Sequence, residues 1–499
     1  MTTAERAASP VVEELVPAPD PVACCEHLAG RPYRLFLDSA ARGGRLGRHS
    51  FLSADPVAIV RSHAGRTEYV DRLTGERREM AGDALAVVRT LMAPHAAEPA
   101  DGLPPFQGGA AGYVSYDWGK TLERLPEPRF DDLGFPDVVM GLYDWVLAWD
   151  HETGRAWLVS TGMPEAGSAR ARRAGRRAAE VRAWLDRSPA DGRRAVGRAG
   201  ETGRRVAGPP APSHPVERGW WDGALDLRSS FTREGYLAAV ERVRQYIYAG
   251  DVFQANLSQR FEAPLEESAW PFYRRLRARS AAPFAAYLEY PDFAVASASP
   301  ERFLRVDRRG HVETRPIKGT RPRGLGPEHD AALAQALAES AKDRAENLMI
   351  VDLMRNDLSR VCAPHSVRVS ELFALERHPT VHHLVSAVVG ELAPGADALD
   401  LLRAAFPGGS ITGAPKLRAM EIIAELEPSR RGVYCGSIGY WSVAGELDTA
   451  IAIRTAVVAG GRVYFSAGGG IVADSDPALE YQETLDKARA LIDATAPGA

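Results

Sequence analysis

Short hydrophobic runs alternate with polar turns from about residue 22 to residue 161. The runs are rich in β-branched, aromatic and small residues, which is typical of antiparallel strands. They read YRLFLDSA (33–40), HSFLSADPVAIVRS (49–62), GGAAGYVSYDW (108–118), VVMGLYDWVLAWD (138–150) and RAWLVST (155–161). This part of the chain is therefore predicted to be mainly β.

A helical period of apolar residues begins after Phe231. In 232–251 the residues Tyr236, Val240, Val243 and Ile247 fall on one helix face, and Gly250 is placed to end that helix. The pattern then predicts hairpins at 284–299 and 303–317, helices at 328–340, 343–360 and 415–426, strands at 432–443, 446–459 and 462–468, and a final helix from Pro477. Hairpins interrupted by helices favour an α+β fold with largely antiparallel sheets.

The chain of 499 residues is long enough for two domains or for one composite domain with an insert. Composition shifts abruptly at about residue 165, where Arg, Ala, Gly and Pro become frequent. The sequence thus divides into an N-terminal region (1–164), an insert or linker (165–225) and a C-terminal region (226–497). Within the insert, 170–187 predicts a basic helix and 206–219 a flexible link; a solvated segment is favoured over a nucleic-acid surface because one tryptophan is the only aromatic residue of the basic run.

Composition narrows the functional classes. A formal net charge of −4 implies no global attraction to nucleic acid. The four cysteines show no C-x-x-C spacing, which argues against a zinc site or a disulfide framework. The first residues lack the basic and apolar parts of a secretory signal, and no apolar run of about 18 residues spans a membrane. A cytoplasmic protein is expected.

Acidic residues lie on helix faces that should approach the core. Glu346 shares a stripe with Ile350 and Leu353, so its carboxylate requires a partner. On the last helix Glu480, Glu483, Thr484 and Lys487 share one face. Two alternatives stay open: a solvated face with a Glu483–Lys487 pair, or a Mg²⁺ site.

Arg454 is a single cation among small residues in the predicted strand 446–459. The alternatives are a carboxylate-binding guanidinium and a structural ion pair. Glycine-rich turns at 407–416 and 466–475 add backbone N–H groups that could hold an anion. Together with the carboxylates, these features suggest a site for a metal-bound small molecule that carries a carboxylate.

The chain resembles the chorismate-utilising enzyme family in a long ordered set of motifs. These are GDVFQANLSQRF (250–261), SPERF (299–303), RPIKGTRPR (315–323), AENLMIVDLMRND (345–357), HHLVS (382–386), FPGGSITGAPK (406–416), CGSIGY (435–440) and AGGGIVADSDPALEYQET (467–484). The segment 105–117 also resembles the N-terminal part of anthranilate and aminodeoxychorismate synthase large subunits. The resemblance implies one sandwich of two packed, largely antiparallel sheets with outer helices, and an active site in the C-terminal region.

The resemblance also implies roles for individual residues. Glu346 and Glu483, with Glu480 as a third, match ligands of a Mg²⁺ cofactor that grips the ring carboxylate of chorismate. Glu301 matches a general acid, and His383 lies near the reacting ring. The implied substrate-binding residues are Gly319, Thr320, Tyr434, Arg454, Gly468, Gly469, Gly470 and Lys487.

Two positions separate the branches of the family. Water-adding members carry a lysine base where Gln254 stands. Anthranilate-forming members carry P-I-A-G-T where this chain has P-I-K-G-T, which marks the aminodeoxychorismate-forming branch and implies Lys318 as a covalent nucleophile. Strand alternation is expected to put Lys318 and Thr320 on one face. Desolvation, or nearby cations such as Arg315 and Arg321, is expected to lower the pKa of the lysine.

The implied partners are chorismate, ammonia, a separate glutamine amidotransferase small subunit and a downstream aminodeoxychorismate lyase; nucleic acid and membrane are not expected. The competing enzyme hypothesis is an anthranilate synthase large subunit. The hypothesis from another class is a catalytically inactive binder of an aromatic effector. It rests on Ser39, Pro283, Phe284 and Ala285, which resemble an effector site, although Asp38 replaces the usual glutamate.

Overall fold

The computed structural model describes residues 10–42, 46–187, 208–217, 219–221, 225–378 and 381–496. The parts of the predicted insert at 188–207, 218 and 222–224 lie outside the described residues, as do both ends of the chain. Of the described residues, no helix is long and apolar enough to cross a membrane.

The described residues form strands and helices throughout the chain. The strands are β1 Val11–Glu14, β2 Leu35–Asp38, β3 His49–Ser53, β4 Ala58–His63, β5 Arg66–Asp71, β6 Arg77–Met80, β7 Gly109–Val114, β8 Val138–Tyr143, β9 Trp145–Asp150, β10 Arg155–Ser160, β11 His214–Pro215, β12 Arg228–Ser229, β13 Gln254–Pro264, β14 Phe284–Glu289, β15 Ala294–Ser299, β16 Arg302–Val306, β17 His311–Thr314, β18 Ile317–Pro322, β19 Arg368–Arg377, β20 Val381–Glu391, β21 Gly413–Ala414, β22 Ser437–Ser442, β23 Leu447–Ile451, β24 Thr455–Ala459 and β25 Arg462–Ile471. The helices are α1 Pro21–His27, α2 Ala84–Met92, α3 Gly167–Leu185, α4 Arg233–Tyr248, α5 Ala269–Arg279, α6 Pro327–Glu339, α7 Ala341–Ser359, α8 Ala398–Ala405, α9 Lys416–Leu426 and α10 Pro477–Thr495.

The strands assemble into two large sheets that pack face to face. The first sheet runs β1-β10-β9-β3-β2-β14-β15-β24-β25-β13-β12-β11, with β21 beside β13. The second runs β18-β20-β17-β16-β23-β22-β7-β8-β4-β5-β6, with β19 beside β20. Neighbouring strands are antiparallel, as in the β14–β15 hairpin where Phe284 is opposite Ser299. The predicted α+β sandwich is confirmed, and N-terminal and C-terminal strands mix in both sheets.

Alternation along the strands creates separate hydrophobic layers. Leu35 packs between the sheets with Ile59 and Tyr113 of the second sheet. Its neighbour Phe36 points the other way, toward a layer that includes Tyr236 of α4 and Leu485 of α10. The outer side of the second sheet is covered by α2, α7 and α8. The order of layers is therefore helices, sheet, sheet, helices.

The basic helix predicted at 170–187 forms as α3 and packs against the first sheet. Ala178, Val181 and Trp184 are buried in the layer beneath it. The buried Arg177 pairs with the fully buried Asp144, with 3.3 Å between Nε and Oδ1. This helix is thus part of the sandwich, because its apolar face and one arginine are both satisfied by the N-terminal strands.

The prediction of a single strand at 446–459 is wrong. Residues 447–451 form β23 in the second sheet, whereas 455–459 form β24 in the first sheet. The chain crosses between the sheets at Ala452–Arg454, and Arg454 has the left-handed φ of 52°. Sequence alternation runs through this crossing without a break, so it gave no sign that the backbone turns there.

Candidate active site

Lys318 lies at the start of β18, where the strand is irregular. The pairing of β18 with β20 shifts register between Ile317 and Thr320, and Gly319 has a φ of 89°. A side chain on Gly319 would meet Leu337 and Asp343, so glycine is required both for backbone conformation and for space. The predicted alternation of Lys318 and Thr320 is therefore interrupted by a bulge.

The lysine amine is held by a carbonyl. Lys318 Nζ donates to the Ser410 carbonyl oxygen over 2.9 Å, and no carboxylate among the described residues lies within ion-pairing distance of it. Burial lowers the pKa of Lys318, with a further contribution from the positive charge of Lys487. The amine is therefore poised toward its neutral, nucleophilic form.

The two arginines that were expected to lower this pKa are engaged elsewhere. Arg315 donates to Glu376 over 2.5 Å and to Glu371 over 2.9 Å. Arg321 donates to Asp343 over 2.9 Å. Of the two expected causes, burial is the larger one, and Lys487 takes the place of the two arginines as the cation that lowers the pKa of Lys318.

Glu301 is a buried carboxyl group next to the lysine. Burial raises the pKa of Glu301 to about 7, against the opposing effects of the Ser410 hydroxyl, which hydrogen-bonds the carboxyl, and of Lys318. A carboxyl group with this pKa is partly protonated near neutrality and can act as a general acid. Sequence reasoning missed Ser410; its carbonyl holds Lys318 and its hydroxyl holds Glu301.

Thr320 and His383 meet on the neighbouring strands β18 and β20. Thr320 Oγ1 and His383 Nδ1 are 2.9 Å apart. Burial lowers the pKa of His383 to about 3, and His378 contributes in the same direction. The imidazole is neutral at physiological pH, so this histidine can exchange hydrogen bonds without carrying a charge.

Arg454 lies half-buried at the crossing between the sheets. Within the described part of the chain, no hydrogen bond or ion pair engages its guanidinium, and burial lowers its pKa. Tyr434 and Glu483 oppose this shift by electrostatic attraction, and burial raises the pKa of Tyr434 well above its usual range. A cation left without a carboxylate can bind one from a ligand.

The three glycines 468–470 lie at an open edge of β25. Strand β24 pairs with β25 only as far as Phe465, so 466–471 have β13 on one side and no strand on the other among the described residues. Gly468 and Gly470 lie close to the β13 residues Ser258 and Gln254, whereas Gly469 faces the carboxylates of α10. Free backbone N–H groups along this edge are suited to a carboxylate.

Gln254 is a second site residue, and only the folded structure shows the environment of its amide. Its amide is fully buried, and neither Nε2 nor Oε1 has a hydrogen-bond partner within the described region. The missing side chain of Gly470 provides the space in which this amide lies. Buried polar groups are normally paired, so an unpaired amide at this position points to a ligand or solvent molecule.

Two of the predicted metal ligands, Glu480 and Glu483, lie beside Gly469. A Cβ built on Gly469 would be 2.9 Å from Glu480 Oε2 and 3.3 Å from Glu483 Oε1. Burial and the nearby Glu483 raise the pKa values of Glu346 and Glu480. Among the described residues, no group of three acidic, histidine or cysteine side chains is arranged to hold a metal ion. The donor chemistry nevertheless suits a hard divalent cation, which would relieve the repulsion among carboxylates.

Lys487 is the cation that faces these carboxylates. Its Nζ lies 2.6 Å from Glu483 Oε1 and donates to the Gly468 carbonyl over 2.9 Å. Burial opposes ionisation of Glu483, but Lys487 outweighs it and the pKa of Glu483 is lowered. The helix pair considered from sequence is thus present, within reach of the glycine edge.

The four residues of the expected effector site come together elsewhere. Ser39, Pro283, Phe284 and Ala285 line one cavity of about 250 Å³ between the sheets. Asp38 also lines it, but its carboxylate already accepts from Arg277 Nε over 2.5 Å and from the Tyr273 hydroxyl over 3.1 Å. The cavity therefore has walls of both polar and apolar residues, and it offers no uncommitted carboxylate at Asp38.

Comparisons with known proteins found a matching family and similar chains. The sequence profile of the chorismate binding enzyme family matches residues 34–493. Aminodeoxychorismate synthase component 1 of Salmonella typhimurium is 43% identical, over 92% of this chain and 92% of that protein. Anthranilate synthase component 1 of Pseudomonas aeruginosa is 39% identical, over 97% and 94% respectively. The crystal structure of anthranilate synthase component I from Streptococcus pneumoniae superposes with a TM-score of 0.73 at 32% identity, covering 90% of this chain and 93% of that one.

Proposed function

This chain belongs to the chorismate binding enzyme family and is a chorismate-utilising enzyme, and from that premise we propose that it is an aminodeoxychorismate synthase large subunit. The observation that carries the proposal is the environment of Lys318. Its pKa is lowered, its amine is hydrogen-bonded to the Ser410 carbonyl, and the Glu301 carboxyl group beside it has a pKa of about 7. A nucleophilic amine and a general acid side by side are what displacement of a hydroxyl group requires.

In the proposed reaction the neutral Lys318 amine attacks C2 of chorismate. A C2–N bond forms, the two ring double bonds shift, and the C4–O bond breaks. The Glu301 carboxyl group gives its proton to the departing oxygen, which leaves as water. Ammonia then attacks C4, the double bonds shift back, and the C2–N bond to Lys318 breaks. The product 4-amino-4-deoxychorismate keeps its enolpyruvyl group, and the surplus proton of the added nitrogen returns to Glu301.

The remaining site residues are proposed to bind and orient the substrate. Arg454, Tyr434 and the N–H groups of the glycines 468–470 receive the enolpyruvyl carboxylate, because the guanidinium is uncommitted and the strand edge is open. Gly319 and Thr320 line the ring pocket, with Thr320 oriented by the neutral His383. Lys487 lowers the pKa of Lys318 and balances the acidic face of α10.

A Mg²⁺ ion is part of the proposal. Glu346 and Glu483, with Glu480, would hold it, and when bound it would neutralise the ring carboxylate and favour departure of the hydroxyl group. Chelation of divalent ions is expected to abolish activity, and Mg²⁺ to restore it. A Glu483→Gln variant should bind Mg²⁺ more weakly in calorimetry, a readout that does not depend on turnover.

Ammonia is proposed to come from a separate glutamine-hydrolysing small subunit. The relatives are named component 1, which supports a second component. The purified chain should use ammonium salts and not glutamine. A separate aminodeoxychorismate lyase would then convert the product to 4-aminobenzoate.

The test is incubation of the purified chain with chorismate, Mg²⁺ and ammonium, followed by mass analysis. We expect 4-amino-4-deoxychorismate, and its loss by a factor on the order of 10³ or more in Lys318→Ala. Fluorescent anthranilate in place of this product would support the second candidate, an anthranilate synthase, which the identity to such enzymes favours. Unchanged turnover of Lys318→Ala would refute the covalent role.

We also propose the cavity at Ser39, Pro283, Phe284 and Ala285 as a site for an aromatic effector, on the support of its volume and of the apolar residues in its lining. Calorimetry with tryptophan and with 4-aminobenzoate would test it. Because Asp38 is engaged by Arg277, tryptophan is not expected to gain affinity from its ammonium group.

A further inference from the structure

The Ser410 carbonyl oxygen receives two side-chain donors. Lys318 Nζ donates to it over 2.9 Å, and Asn256 Nδ2 donates to it over the same distance. Asn256 is on β13 and Lys318 is on β18, so the two donors come from different sheets. The carbonyl oxygen has two lone pairs, and these two donors use both.

This arrangement matters for a lysine that must react through its lone pair. A neutral amine that donates one N–H to a carbonyl keeps its lone pair free, and the position of the acceptor restricts that lone pair to the two remaining tetrahedral directions. The second donor on the carbonyl determines how much the acceptor can move.

Asn256 is itself held on its backbone. Its N–H donates to the Thr412 carbonyl over 2.7 Å, and its carbonyl accepts from Arg431 Nη2 over 2.8 Å. Arg431 also donates to the Ile411 carbonyl over 3.0 Å and is paired with Glu427. These backbone bonds already fasten the 410–412 turn to β13, so the Asn256 side chain is not needed for that purpose.

We propose that Asn256 is a positioning residue for the reaction: by sharing the Ser410 carbonyl with Lys318, it fixes the approach of the lysine amine to the substrate. The inference rests on the proposed covalent function and adds a residue to it. Asn256 acts through Ser410 and Lys318 and takes no part in bond making or breaking.

The variants that test it are Asn256→Ala and the isosteric Asn256→Asp, with Asn356→Ala as the matched control on the exposed face of α7. Asn256→Ala is expected to lower kcat by about 10- to 100-fold, because a small misplacement of a reacting group has this effect. The KM for chorismate and the thermal midpoint should stay close to those of the control.

Asn256→Asp adds a readout that a merely structural role would not move. A carboxylate beside Lys318 favours its charged form and raises its pKa. The low-pH limb of the kcat profile, measured at constant free ammonia, should therefore shift to higher pH. This variant also keeps the test valid if Asn256→Ala fails to fold.

Three enzymes measured in parallel separate the possible failures. If the wild type makes no 4-amino-4-deoxychorismate, the proposed function fails. If Lys318→Ala remains active, the covalent role fails. If both behave as proposed while Asn256→Ala has the kcat of the Asn356→Ala control, or Asn256→Asp leaves the low-pH limb unmoved, the role of Asn256 is overturned.

Discussion

Two lysines with lowered pKa values donate to carbonyl groups of the 405–416 segment and are held in different ways. Lys318 donates to the Ser410 carbonyl and Lys416 to the Ala405 carbonyl, both over 2.9 Å. Lys416 also pairs with the buried Asp357 over 2.6 Å, whereas no carboxylate pairs with Lys318 within the described chain. The carboxylate is therefore what distinguishes the paired Lys416 from Lys318, for which a covalent role is proposed.

Two nearby arginines differ in the same way, because one is paired with a buried carboxylate and the other is not. Arg431 makes two bonds to the buried Glu427 and two to backbone carbonyls. Arg454 has no such partner among the residues that the structure describes. The protein itself neutralises the buried charge of Arg431, whereas the guanidinium of Arg454 is proposed to be neutralised by a carboxylate of the substrate.

Exchanging the two lysines for methionine should separate these roles most strongly. Lys416→Met leaves Asp357 buried without a cation and should destabilise the fold by about 3–5 kcal/mol. Lys318→Met should lose activity by a factor on the order of 10³ or more with little change in stability. Denaturant unfolding and product assays measure both; a fold weakened equally by the two changes would contradict the comparison.

Glu301→Gln should lower kcat by about 10²- to 10⁴-fold, because the amide cannot donate a proton to the leaving hydroxyl. The wild-type kcat/KM should fall as pH rises through about 7, where Glu301 ionises, and the variant should lack this limb. The raised pKa of Glu301 also contributes to the stability of the fold. This contribution is fully present at pH values below the ordinary pKa of 4.5 and is lost as pH rises through about 7. A limb that persists in Glu301→Gln would assign it to another group.

Arg454→Gln should reduce kcat/KM for chorismate by about 10- to 150-fold, which corresponds to about 1.5–3 kcal/mol for a lost hydrogen bond to a charged group. The free energy of unfolding should stay unchanged, because no protein carboxylate loses its partner. Arg431→Gln is the matched control and should destabilise the fold. A KM for chorismate of Arg454→Gln that equals the wild-type value in steady-state kinetics would exclude this arginine from the substrate site.

The smallest expected effect concerns Lys487. Lys487→Met removes the cation that lowers the pKa of Lys318, so the low-pH limb of the kcat profile should move to higher pH. Arg321→Gln should leave the limb in place, since Arg321 is paired with Asp343. Equal shifts of the low-pH limb in both variants would show that Arg321 also lowers the pKa of Lys318.

The sequence by itself determined an α+β fold with largely antiparallel sheets, and the family resemblance of its motifs added the sandwich and the residues proposed for the site. Hydrophobic period and turn residues were enough for the hairpin β14–β15 and for helices α7, α9 and α10, because these elements are stabilised by contacts close in sequence. The ordered motifs identified Lys318, Glu301, Arg454 and the three glutamates as the chemical groups.

Only the tertiary structure decided how these groups are arranged. It split the predicted strand at Arg454 between two sheets, inserted the bulge at Gly319, and assigned Lys487 instead of Arg315 and Arg321 as the cation acting on Lys318. It also brought Asn256 and Ser410 to the lysine from distant segments. Local patterns carry no information on which distant carbonyl or carboxylate a side chain will meet, and burial by remote segments sets the pKa of each group.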